Sequence, residues 1–107
     1  VRKSGQVVTL NNNQGSSATA FTVLTTTSKV FAIDYTIVRD TAYRRGTIIV
    51  SANGSTTNLN YSDDYVENTS TGVALTVAQS GTNININYTS TATGFTSSLT
   101  YSITHLA

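Results

Sequence analysis

The sequence predicts an all-β fold, an antiparallel β-sandwich of about eight strands with a jelly-roll-like wrap. Three observations predict it. Thr, Ser and Asn supply roughly two-fifths of the 107 residues and alternate with Val, Ile, Leu, Phe and Tyr. No 3.6-residue apolar stripe occurs, and β-branched residues dominate, so no helix is expected. Turn-forming clusters recur at intervals of about 8–12 residues, the spacing of a two-sheet β domain.

The elements follow in order. Gln6–Leu10 reads as a short first strand, residues 11–17 as a polar loop, and Ala18–Leu24 as the second strand. After a turn at Thr25–Ser28 comes the strongest strand, Lys29–Arg39. Phe31, Ile33, Tyr35 and Ile37 line one face, and the mostly apolar Val30, Ala32, Asp34, Thr36 and Val38 line the other. A strand apolar on both sides is central or covered by a further layer. Asp40–Ala42 connects it to Tyr43–Ala52, where residues 47–50 are again apolar on both sides. Asn53-Gly54 is a hairpin signal, because both central residues of a type I′ turn need positive φ. The strand placed at Ser55–Glu67 is long enough to require a bulge or break. Asn68–Gly72 is a loop. Val73–Gln79 follows, with Val73, Leu75 and Val77 inward. Ser80-Gly81 turns the chain into Asn83–Ser90, where Ile84, Ile86 and Tyr88 face the core and Asn83, Asn85 and Asn87 face water. The last strand, Phe95–Leu106, sets Leu99, Tyr101 and Ile103 on one face.

Composition bounds the chemistry. The chain is long enough for one domain, taken as 1–107. A formal net charge of +1 gives no case for nucleic acid, and no apolar run approaches the ~18 residues of a membrane span. Without cysteine, Cys-ligated zinc and thiol nucleophiles are excluded. No signal peptide is visible, and a chain beginning with Val1 is expected to be a fragment or processed product. Only 10% of residues are charged, so solubility rests on hydroxyls and amides, a habit of extracellular surfaces and virion fibres. With no proline to blunt its edges, such a chain tends to oligomerise.

No catalytic constellation is expected, and no cofactor or metal. The single histidine, His105, continues the inward face of the last strand and reads as a terminal or interface residue; no nucleophile elbow accompanies it. Asp63 and Glu67 share a face about 13 Å apart, wide for glycosidase carboxylates, with Asp64 opposite. They read as a solvated or salt-bridged rim. Arg44 and Arg45 point to opposite faces: one is expected to pair with Asp34 or Asp64, the other to meet a neighbouring chain, or the Arg fork to take a carboxylate or phosphate. Tyr35, Tyr88 and Tyr101 have core parity. Tyr43, Tyr61 and Tyr65 border loops and the acidic cluster. The ligand-binding candidates are therefore Tyr43, Arg44, Arg45, Tyr61, Asp63, Asp64 and Tyr65. Matches to the glycosylation pattern, among them Asn53, Asn68 and Asn87, are no more than chance supplies in so polar a chain.

The runs Ile33–Arg39, Tyr43–Ile48, Ser62–Glu67, Thr71–Val73, Asn83–Thr89 and Leu99–Ile103 together resemble a module found near the C-terminal ends of tailed-bacteriophage virion proteins, especially tail fibres and related knobs. The resemblance spans Val30 to Ile103 and brings no catalytic motif. It implies a trimeric fibre tip exposed on the virion, with a host glycan or protein as receptor, and leaves residues 1–28 as a stalk remnant or an added first strand. A carbohydrate-binding module of a secreted enzyme and a purely structural virion joint are the alternatives. The outer face of Lys29–Arg39 is the expected trimer contact, with Arg44 or Arg45 at its rim, unless a second sheet of the same chain covers it.

Overall fold

The computed structural model describes residues 2–52 and 59–106, with side chains from residue 6 onward in the first strand. These residues form eight strands, β1 (Arg2–Leu10), β2 (Ala18–Leu24), β3 (Val30–Arg39), β4 (Ala42–Ser51), β5 (Asn60–Glu67), β6 (Val73–Ser80), β7 (Asn83–Ser90) and β8 (Ser97–His105). All ladders are antiparallel. They build a five-stranded sheet, β1-β8-β3-β4-β5, packed over a three-stranded sheet, β2-β7-β6. No helix occurs among the described residues.

The topology combines two habits. β1 pairs with β8 and β2 with β7, so the first and last strands nest across the two sheets as in a jelly roll. Between them, β3, β4 and β5 run as a meander and β6–β7 as a hairpin, each on local connections. At the β3–β4 turn, Asp40 takes a left-handed φ of 54°, which a short polar side chain tolerates. Strand ends move from the sequence reading by a few residues: β1 begins earlier, and the described part of β5 begins at Asn60 rather than Ser55. The Asn53-Gly54 hairpin signal and the Asn53 glycosylation pattern lie outside the described residues.

Alternation sets the core. Phe31, Ile33, Tyr35 and Ile37 of β3 meet Ile48 and Val50 of β4, Leu99 and Ile103 of β8, and Ile84, Ile86 and Tyr88 of β7, all buried. Leu10 of β1 and Val23 of β2 join them, and Phe21 stacks on Tyr101 with ring centroids 3.8 Å apart. The asparagines of β7 turn away from the core, where Thr19 and Thr22 donate hydroxyl bonds to Asn87 and Asn85. His105 lies in the β8–β3 ladder opposite Phe31, half-buried.

Of the two readings of β3, central or covered by a further layer, the structure takes the first. The outer face of β3 looks away from the three-stranded sheet, and no described element lies over it. Five large apolar side chains are exposed on this side, Val7, Val38, Tyr43, Ile49 and Val66. β3 is two-sided because it is the middle strand of the wider sheet, not because it is sandwiched twice.

Candidate functional site

Five strands over three leave an overhang. Inward-facing residues of β3 and β4 are buried, but the inward residues of β5 are not: Tyr61 is 40% and Tyr65 48% exposed. The register places Tyr61 opposite Val50, Asp63 opposite Ile48, Tyr65 opposite Gly46 and Glu67 opposite Arg44. β5 therefore presents two tyrosines, about 13 Å apart along one strand face, past the margin of the smaller sheet.

A charged network braces this overhang from below. Arg44 points inward and is 4% exposed. Its Nη2 donates to Asp63 Oδ2 at 2.7 Å, its Nε to the Tyr35 hydroxyl at 3.1 Å and its Nη1 to the Val73 carbonyl at 2.7 Å. The Tyr35 hydroxyl in turn donates to Asp63 Oδ1 at 2.7 Å, closing a ring of three side chains. Burial, then the bond to Asp63, push the Tyr35 phenol well above the usual tyrosine range, so it stays a donor at all physiological pH. Tyr65 lies on this cluster with its ring centroid 3.6 Å from the Arg44 guanidinium carbon, a close cation–π contact. Gly46 makes the arrangement possible. A Cβ there would lie 2.7 Å from both the Tyr35 hydroxyl and Tyr65 Cβ, so the missing side chain is the space the hydroxyl occupies.

Glu67 anchors the next loop. One carboxylate oxygen accepts the Thr71 N–H at 3.0 Å and the Thr71 hydroxyl at 2.8 Å. Burial pushes this carboxyl up, but the two Thr71 bonds and the charge of Arg44 outweigh it and hold it below the ordinary glutamate range. A depressed folded-state value means the stabilisation is complete above the unfolded pKa of about 4.3 and is lost as pH falls through the lower folded one. Acid unfolding curves should therefore show a downward limb below about pH 4.3 that Glu67→Gln flattens; an unchanged limb in the variant would place the acid sensitivity elsewhere.

The remaining candidates sit on the other side of the sheet. Tyr43, Arg45 and Asp64 face outward, Tyr43 beside Val38 and Arg45 beside Val66 in the ladders. Arg45 Nη2 lies 4.0 Å from Asp34, its Nη1 donates to the Tyr35 and Gly46 carbonyls, and its side chain stays 57% exposed. Arg45, Thr47, Asp64 and Val66 rim a shallow concavity of about 450 Å³. The seven candidates thus divide into an inner group, Arg44, Tyr61, Asp63 and Tyr65, and an outer group, Tyr43, Arg45 and Asp64.

One expectation is met and one needs correction. Arg45 is the arginine beside Asp34, whereas the other, Arg44, meets Asp63 within the chain rather than a neighbouring one. The cause is register: β4 and β5 bring residues 44 and 63 onto the same inner face. The sequence reading did not anticipate the burial of Arg39, which is 3% exposed and gathers three loops. It donates to the carbonyls of Thr71, Thr91 and Phe95 and to Asn12 Oδ1. The signal was available, since residue 39 shares parity with Phe31 through Ile37. Among the described residues no group of His, Cys, Asp and Glu is arranged to hold a metal.

No protein-family model matches the sequence, and no curated protein matches it. Among solved structures the fold is similar to the tailspike protein of Acinetobacter baumannii phage AM24, with a TM-score of 0.48 and 14% identity. That match covers 99% of this chain and 26% of the tailspike, so the chain spans about a quarter of that protein's length.

Proposed function

We propose that the chain is a non-enzymatic attachment module, a knob of a phage tail fibre that binds a surface glycan of the host and works on the virion as a homotrimer. One observation carries the binding role: Tyr61 and Tyr65 stand half-exposed on one strand face, over an arginine–carboxylate brace that fixes their strand. Exposed aromatic rings on a rigid scaffold suit the apolar faces of sugar rings, and Asp63 between them is held in the brace rather than free for chemistry. The setting on a virion comes from the sequence resemblance. A binding module of a secreted enzyme would use the same rings but act as a monomer.

The test is an array of bacterial surface polysaccharides probed with the wild type and with Tyr61→Ser. The Tyr61 ring is 40% exposed and lies outside the core cluster, so the variant should keep its melting temperature and lose about tenfold or more in affinity, the scale of one stacked ring. Equal binding by both proteins would remove the tyrosines from the site.

The trimer contact in this reading is the outer face of the five-stranded sheet, with its exposed Val7, Val38, Tyr43, Ile49 and Val66. Sedimentation should show a trimer at micromolar concentration. Val38→Asp should give a folded monomer, because Val38 points away from the core and its aspartate is harmless in the single chain. A wild-type monomer would end the trimer assignment; an unfolded variant would contradict the placement of Val38.

A further inference from the structure

Arg39 carries a buried charge with no ion pair among the described residues. Its four bonds go to neutral acceptors: Nε to the Phe95 carbonyl at 3.0 Å, Nη1 to the Thr71 carbonyl at 2.9 Å, and Nη2 to Asn12 Oδ1 at 2.8 Å and the Thr91 carbonyl at 2.6 Å. The ion pairs among the described residues belong to Arg44 and Arg45. A guanidinium has five N–H donors, so one, on Nη1, has no acceptor among the described residues. Buried charges are normally paired, and one left open beside a cavity marks a site for a ligand of opposite charge.

Arg39 lines a cavity of about 190 Å³ at the loop end of the sandwich. Its other walls are rich in donors. Ser70 Oγ accepts the Gly72 N–H and Thr93 Oγ1 accepts the Phe95 N–H, which leaves each hydroxyl proton without an acceptor among the described residues. Thr69 adds a third hydroxyl, and Phe95, 49% exposed, supplies an apolar ring at the rim. Asp40, exposed in the β3–β4 turn, is the one acid on the wall and has no partner among the described residues. The volume falls below the ~300 Å³ of a drug-sized site and suits a single small ring.

The geometry points to a second binding site here, specific for a sugar unit that carries a carboxylate. The ligand carboxylate meets the open Arg39 N–H and the Ser70 and Thr93 hydroxyls; the sugar ring lies against Phe95; Asp40 accepts sugar hydroxyls, which a bare anion does not offer. The saccharide class rests on the attachment reading above, whereas the need for a carboxylate rests on Arg39. The site is distinct from the β5 tyrosines, which lie on a strand face rather than at the loop cluster.

The experiment is an amide-resolved NMR titration of the whole chain with sodium glucuronate and with glucose at matched ionic strength. The expected result is saturable shifts at Gly72, Thr93 and Phe95 with glucuronate, and binding of glucose weaker by about tenfold, the scale of one charge-assisted contact. Phe95→Ala, at an exposed side chain, should abolish the shifts while the protein stays folded, and Tyr61→Ser should leave them unchanged. Sodium acetate should bind more weakly than glucuronate, since it has no ring for Phe95 and no hydroxyl for Asp40. Absence of saturable shifts at the loops, equal binding of glucose or acetate, or shifts that follow Tyr61 instead of Phe95 would overturn the proposal. Equal polysaccharide binding by the wild type and Tyr61→Ser in the array strikes the attachment reading alone and leaves these shifts untouched.

Discussion

Arg44→Ala should destabilise the protein by about 3–5 kcal/mol, the cost of removing one partner from a buried ion pair. The loss has several parts. Asp63 keeps its charge in a largely buried position with only the Tyr35 hydroxyl left to meet it. The Val73 carbonyl loses its donor, and Tyr65 loses the cation beneath its ring. Urea unfolding should show a lower midpoint with little change in slope, because the exposed surface is nearly the same. Arg44→Met combined with Asp63→Leu should recover most of the loss, since an apolar pair of similar bulk leaves no buried charge unanswered. If Arg44→Ala costs less than about 1 kcal/mol, the network is a surface pair in effect and does not brace β5.

Arg39→Ala should produce a loss of similar size through a different route. Three backbone carbonyls would lose a buried donor together; those of Thr71 and Phe95 would be left unpaired at about 1–3 kcal/mol each, while that of Thr91 keeps the Asn13 N–H. Asn12 would lose its hold as well, although its side chain also accepts the N–H groups of Thr93 and Gly94. The damage should concentrate at one end of the sandwich, so hydrogen exchange should accelerate in residues 11–14, 68–72 and 91–95 more than in β3 or β8. Arg39→Lys should rescue little, because an ammonium cannot span acceptors spread over three loops as a planar fork does. Uniform acceleration across the sheets would show that Arg39 supports the core rather than the loops.

Much of this fold is legible in the sequence, and particular residues show why. In β3, Phe31, Ile33, Tyr35 and Ile37 share one parity, and the structure buries that face and leaves the other half-buried or exposed. Parity assigned Tyr35 and Tyr88 to the core, and Tyr43, Tyr61 and Tyr65 were set apart by their place beside loops and the acidic cluster. The sheet assignment was not legible: nothing local says that β5 stays with β4 while β6 joins the opposite sheet, so the overhang exposing Tyr61 and Tyr65 could not be foreseen. The pairing of Arg44 with Asp63 depends on the β4–β5 register. Parity does place Arg44 with Ile48 and Val50, and Arg39 with Phe31. Reading arginine as a surface residue by default concealed both.

The proposed binding role of the overhang and the proposal that it does no chemistry can be tested together. Intact cells from a panel of bacteria are incubated with the fluorescently labelled wild type, Tyr61→Ser and a Val38→Asp monomer, and their surface polysaccharide is then sized. The expectation is saturable binding of the wild type to at least one strain, weaker binding of both variants, and polysaccharide of unchanged length. Loss in Val38→Asp would follow from avidity, since three linked sites bind far more tightly than one. Wild-type binding to no strain, or polysaccharide shortened in proportion to the protein added, would contradict a non-enzymatic attachment module.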